Sequence, residues 1–143
     1  MHPLSVGLWD KSLVDLGQYQ LDNSDVITYH NYGDRETHQQ WIDSLRVYGR
    51  PLICTEYMAR TRNSLFKDIM PLLKEENIGA INWGLVAGKS NTIYAWDTPM
   101  PDGKEPEIWF HDIFKPDGTP YDIEEVELIK ELAAAEEEPA PAR

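Results

Sequence analysis

The sequence predicts an α/β fold of four consecutive βα units, and three observations carry that prediction. Four short β-prone or apolar segments recur along the chain: Pro3 to Asp10, Asp25 to Gly33, Pro51 to Met58 and Gly79 to Gly84. Each ends in polar or aromatic side chains, the groups that parallel strands present at a ligand-binding end. Helical apolar spacing separates the second segment from the third and the third from the fourth, and another helix follows later.

The first segment, PLSVGLWD, is the weakest strand, and the stretch after it holds Leu13, Val14 and Leu16 but also Gly17, so only a short helix fits. Asp25 to Tyr29 is β-prone and leads to His30, Asn31, Tyr32 and Gly33 at its end. From Glu36 to Tyr48, Trp41, Leu45 and Tyr48 fall at helical spacing, and Gly49 offers a C-cap. The continuous run Leu52, Ile53, Cys54 is the pattern of a parallel strand covered on both faces. Ser64 is positioned to cap a helix through Phe66, Ile69 and Leu73 to Asn77, ended by Gly79, with Pro71 expected to kink or split it. Gly79 to Gly84 supplies small residues for close packing and an indole at the exit. The last helix is expected from Asp122, with Glu125 as capping-box partner and Val126, Ile129 and Leu132 buried. One domain over residues 1–132 is expected, followed by a disordered Ala/Glu/Pro tail over residues 133–143.

Composition narrows the function classes. The chain has 143 residues, 41% of them apolar, enough for one core, and no run approaches the roughly 20 apolar residues of a membrane span. A formal charge of −12 argues against nucleic acid and anionic membranes, which demand basic patches. The single cysteine, Cys54, excludes an internal disulfide and reads as a core thiol. No signal-peptide pattern precedes the first strand, so a cytoplasmic location is the expectation for the chain as it stands.

Glu56 is the leading site candidate. Ionised inside the core it would cost several kcal/mol, so it belongs at the mouth, within reach of a ligand or a hydrogen-bonding partner. Among the aromatics, Trp83 ends the fourth strand, Trp9 ends the first, and Trp96 lies in the long Gly/Pro-rich stretch from Leu85 to Pro106. Loops of that length are often functional, and Lys89 and Asn91 within it are weaker polar candidates. His30, Asp34 and His38 are spaced four apart, but Gly33 breaks the helical period, so no metal site and no cofactor are expected. His111 and Asp112, just before the turn KPDGTPYD, read as satisfied loop residues rather than catalytic ones.

Taken in order, HPLSVG, DVITYHNYG, PLICTEYM and GAINWGLVAGK resemble strands five to eight of the (β/α)8 barrel of the cellulase-like glycoside hydrolases, family 5 of the retaining clan. The resemblance runs nearly to the tail and implies half of a TIM barrel. It implies Glu56 as nucleophile, Tyr32 as hydrogen-bond donor to it, His30 lining the sugar site and Trp83 as a platform for the sugar; Asn31 in the same strand-end cluster and Trp96 in the long loop are further substrate-binding candidates from their positions. The implied substrates are β-linked glucosides or β-1,4-glycans. Retaining chemistry needs a carboxylate beneath the anomeric carbon and an acid about 5–5.5 Å away, and aromatic faces suit the C–H face of a pyranose.

The family's acid/base glutamate ends strand four and follows an asparagine, and no Asn-Glu pair occurs in this chain. Four parallel strands alone would expose two edges and an inner face, so either the chain is a fragment of a longer protein or a second copy completes the barrel, and completion by a second copy is the expectation. The alternative is an inactive carbohydrate-binding or purely structural half barrel.

Overall fold

A computed structural model describes residues 2–98 and 103–134. Four parallel strands, β1 (Gly7–Leu8), β2 (Ile27–His30), β3 (Leu52–Glu56) and β4 (Gly79–Ala80), form one sheet in the order β1-β2-β3-β4. Spatial order follows chain order without reversal, so the sheet is singly wound and has no topological switch point. Helix α1 (Val14–Asp22) follows β1, α2 (Arg35–Arg46) follows β2, α3 (Phe66–Glu75) follows β3, and α4 (Ile123–Ala134) closes the described chain.

The core lies on one side of this sheet. Leu8, Ile27, Tyr29, Leu52 and Cys54 are buried there against Trp41, Ile42 and Leu45 of α2 and Phe66, Ile69, Leu72 and Leu73 of α3. Tyr29 stacks on Trp41 with ring centroids 5.9 Å apart. The opposite face carries Thr28 and Ile53, only half-buried, beside Gly7 and Gly79 in the same register row. The expectation that β3 is covered on both faces is therefore corrected: Leu52 and Cys54 are buried but Ile53 between them is not, because this chain places helices over one face only. Both edges expose large apolar groups, Leu4, Val6 and Trp9 beside β1 and Ile81, Trp83 and Leu85 beyond β4.

Several local expectations change. The two outer strands shrink to two residues each, since edge backbone pairs on one side only. Asp34 is the N-cap of α2 and accepts from the Thr37 N–H at 2.9 Å. Ser64 does not cap α3. Its backbone pairs with Ala59, and Leu65 takes the cap position without a side-chain bond. Helix α3 runs unsplit through Pro71 and is ended by Asn77 in the left-handed region, φ 52°, rather than by Gly79, which belongs to β4. Glu125 makes no capping box, because both of its carboxylate oxygens are taken by Arg60. Ala133 and Ala134, assigned to the tail, complete α4, and residues 135–143 lie outside the described residues.

His38, on the buried face of α2, is fully enclosed, and burial pushes its imidazole down to about 4 despite the nearby Asn31 carbonyl and Asp34. The unfolded chain then takes up a proton near 6.5, which the folded chain refuses until about 4. Stability is full above pH 6.5 and falls as pH drops towards 4, by on the order of 3 kcal/mol for this group. Denaturant melts at pH 7 and pH 4.5 should show that loss, and His38→Leu should flatten much of it.

Candidate functional site

The site is assembled where β2 and β3 end. Across these strands Ile27 faces Leu52, Thr28 faces Ile53 and Tyr29 faces Cys54, but His30 faces Glu56, so Thr55 is an extra residue in β3. The resulting bulge is pinned by the Thr55 hydroxyl on the Tyr29 carbonyl at 3.2 Å. Strict alternation would send Glu56 to the same face as Cys54, under the helices. One inserted residue reverses that parity and places Glu56 beside His30 on the open face.

Glu56 is held by two neighbours. The Tyr32 hydroxyl donates to its Oε2 at 2.8 Å, and His30 Nδ1 lies 3.2 Å from the same oxygen. Oε1 takes neither contact. Burial, and then the hydrogen bond to Glu56, push the Tyr32 hydroxyl far above the ordinary tyrosine range, so it remains a protonated donor. The backbone of β1 approaches His30 closely: a Cβ on Gly7 would stand 3.2 Å from His30 Nε2, so any larger residue there would press on the ring.

Around this pair opens a cleft of about 1000 Å³, lined by Trp9, Lys11, His30, Asn31, Tyr32, Thr37, Trp41, Glu56, Trp83 and Trp96. Among the described residues, Glu56 is the one acidic residue in that lining. Trp83 and Trp96 are both more than half exposed, and Trp96 meets Tyr32 edge to face at 4.8 Å between ring centroids. Asn31 is buried. Its Oδ1 accepts the Gly33 N–H at 2.9 Å, and its Nδ2 has no partner among the described residues. A second, smaller groove of about 400 Å³ lies between α1 and α2 and shares Trp9, Lys11 and Trp41 with the first.

Six residues singled out in the sequence, Glu56, Tyr32, His30, Trp83, Trp96 and Asn31, thus share one cleft, and Trp9 joins them. Lys89 and Asn91 do not: they sit in a turn held by the Asn91 N–H on the Gly88 carbonyl, away from the cleft lining. His30, Asp34 and His38 are dispersed, with Asp34 spent on capping α2. Among the described residues no three His, Cys, Asp or Glu side chains converge as metal ligands would. Lys11, Thr37 and Trp41 were not foreseen as lining. Lys11 lies 4.6 Å over the Trp41 ring, an arrangement that joins β1's exit loop to α2 and leaves no local sequence signal.

Behind the cleft, the segment Trp109 to Asp112 is tied to the exit of β3. The Arg60 guanidinium donates to the Trp109 carbonyl at 2.9 Å and the Asp112 carbonyl at 3.1 Å, pairs with Glu125 at 2.6 Å, and lies 4.6 Å over the Tyr121 ring. His111 and Asp112 are both buried; His111 Nδ1 meets the Met58 carbonyl and Asp112 Oδ2 accepts from the Thr92 hydroxyl, but His111 Nε2 and Asp112 Oδ1 have no partner among the described residues, so the two are only half satisfied.

In comparisons with known proteins, no family model matches this chain, and no curated protein matches it. Among solved structures it is similar to the endo-β-1,4-mannanase from Thermotoga petrophila, at 22% identity and a TM-score of 0.48. The alignment covers 83% of this chain and 28% of the mannanase, so the chain spans just over a quarter of that protein's length.

Proposed function

We propose that this chain carries the nucleophile half of a retaining β-glycosidase site, directed at β-linked glucosides or β-1,4-glycans. The observation that carries the reading is the Glu56 carboxylate, braced through Oε2 by Tyr32 and His30 in a cleft lined by four tryptophans. A carboxylate held on one oxygen keeps the other for attack at an anomeric carbon. Tyr32, fixed in its protonated form, steadies the negative charge before attack and can shift towards the ring oxygen as the carboxylate's charge is spent. Trp83 and Trp96 offer the apolar faces that pyranose C–H groups favour, and Asn31 Nδ2 offers a donor.

The affinity of Trp83→Ala for β-1,4-linked oligosaccharides tests this reading. With its indole half in solvent, truncation should weaken binding by about 1 kcal/mol or more, about fivefold, while the melting temperature stays near the parent's. A core anchor would behave oppositely, at a cost of about 3–5 kcal/mol in stability with affinity unchanged in the folded fraction.

Among the described residues Glu56 stands without a second carboxylate in the cleft lining, and the sheet stands with an open face and two apolar edges. We propose that a second copy completes both, the β4 edge of each chain meeting the β1 edge of the other to close eight parallel strands around a two-fold axis. The two Glu56 carboxylates would then face each other across the mouth, one able to serve as acid where repulsion or a bound sugar separates their protonation. Light scattering should give a dimer. A monodisperse 16.5 kDa species with a cooperative melt would rule this assembly out. The alternative, a binding or structural half barrel without turnover, would then be favoured if oligosaccharides bind without being cleaved.

A further inference from the structure

His111 belongs to no part of the cleft lining, yet it touches both elements that hold Glu56. Its Nδ1 lies 2.8 Å from the carbonyl oxygen of Met58, two residues past Glu56. Met58 is buried and has φ 66°, the left-handed conformation that side chains other than glycine rarely adopt. The chain therefore leaves β3 through a strained turn whose carbonyl is satisfied by this imidazole. The same ring packs behind the aromatic wall, with centroids 5.3 Å from Tyr32, 5.8 Å from Trp96 and 4.3 Å from Phe110.

The imidazole is itself fixed from three sides. Arg60 holds the carbonyls of Trp109 and Asp112 on either side of it, and the Phe110 carbonyl accepts the Arg60 backbone N–H at 3.1 Å. Gly84, at φ 93°, passes so near that a Cβ there would come within 3.0 Å of the His111 Cβ. Burial pushes His111 down from its ordinary range, so near neutral pH the ring is uncharged and its one proton sits on the nitrogen facing the Met58 carbonyl.

We infer that His111 is a positioning residue: by donating Nδ1–H to Met58 and backing Tyr32, it fixes the direction in which Glu56 leaves β3 and the contact between Glu56 and the tyrosine hydroxyl. The inference rests on the glycosidase reading for its consequence in turnover, but its structural content stands apart from it. The bond and the packing are separable by substitution. His111→Asn keeps a donor near the Nδ1 position without the ring, and His111→Phe keeps a ring without the donor.

Two measurements on the full chain decide the matter. The first is the set of backbone amide shifts from Glu56 to Ala59, which His111→Phe should move and His111→Asn should largely restore. The second is turnover of a nitrophenyl β-glycoside well below the melting transition. There His111→Phe should lower kcat at least tenfold with KM within about twofold, and His111→Asn should recover most of it. Unmoved amide shifts in His111→Phe overturn the inference whether or not turnover is seen, as does a wild-type kcat in that variant. Absence of any glycoside turnover in the parent chain, with the amide shifts behaving as stated, instead counts against the glycosidase reading and leaves the positioning role supported.

Discussion

Glu56→Gln is expected to abolish turnover of an activated aryl β-glycoside, lowering kcat by orders of magnitude while oligosaccharide affinity survives. The amide keeps the shape of the side chain and can still accept from the Tyr32 hydroxyl, which now donates to Oε2 at 2.8 Å. It removes the negative charge that attacks the anomeric carbon, and an amide is too poor a nucleophile to replace it. An aryl leaving group that departs without protonation isolates this step from the acid, so the variant reports on the nucleophile alone. Near-normal turnover in Glu56→Gln would remove Glu56 from that role.

Arg60→Met should produce the largest loss of stability. The Arg60 side chain is 6% exposed and its partner Glu125 16% exposed, so the substitution leaves a carboxylate without its cation in a largely desolvated place. Breaking such a pair costs about 3–5 kcal/mol. Adding Glu125→Leu should return part of that cost by removing the stranded charge. It should not return all of it, because the carbonyls of Trp109 and Asp112 would still lack the donors that Arg60 supplies. Denaturant melts of the single and double variants measure both quantities, and full recovery in the double variant would mean that the carbonyl bonds contribute nothing.

The sequence made some of this legible because the relevant signals are local. Trp41 and Leu45 recur at helical spacing in α2, and the β-prone run before His30 and the apolar run before Glu56 mark the two central strands that meet in the sheet. Those strands end where the cleft opens, so position singles out Glu56 and the cluster around His30 and Tyr32, while the roles expected of His30 and Tyr32 come from the family resemblance. The bulge at Thr55 was not legible, because threonine is an ordinary strand residue and nothing in PLICTEYM marks an inserted position. Yet that insertion decides which face Glu56 occupies. Nor was Arg60 legible: its partner Glu125 is 65 residues away, and the capping-box spacing from Asp122 gave that glutamate a plausible local use instead. The continuous run in β3 misled for a related reason. A hydrophobic residue at Ile53 is compatible with a covered face, but among the described residues no helix covers that face and Ile53 stays half-buried.

Covalent capture tests the central claim most directly. Incubation of the full chain with an activated 2-deoxy-2-fluoro β-glucoside, followed by peptide mass spectrometry, should find one fluoroglucosyl group esterified to Glu56, and none in Glu56→Gln. The fluorine destabilises the oxocarbenium-like transition states of both steps and the activated leaving group restores only the first, so a retaining nucleophile keeps the label. A label on another carboxylate, or no label on the parent chain at concentrations where an oligosaccharide saturates the cleft, would contradict the assignment of Glu56 as nucleophile.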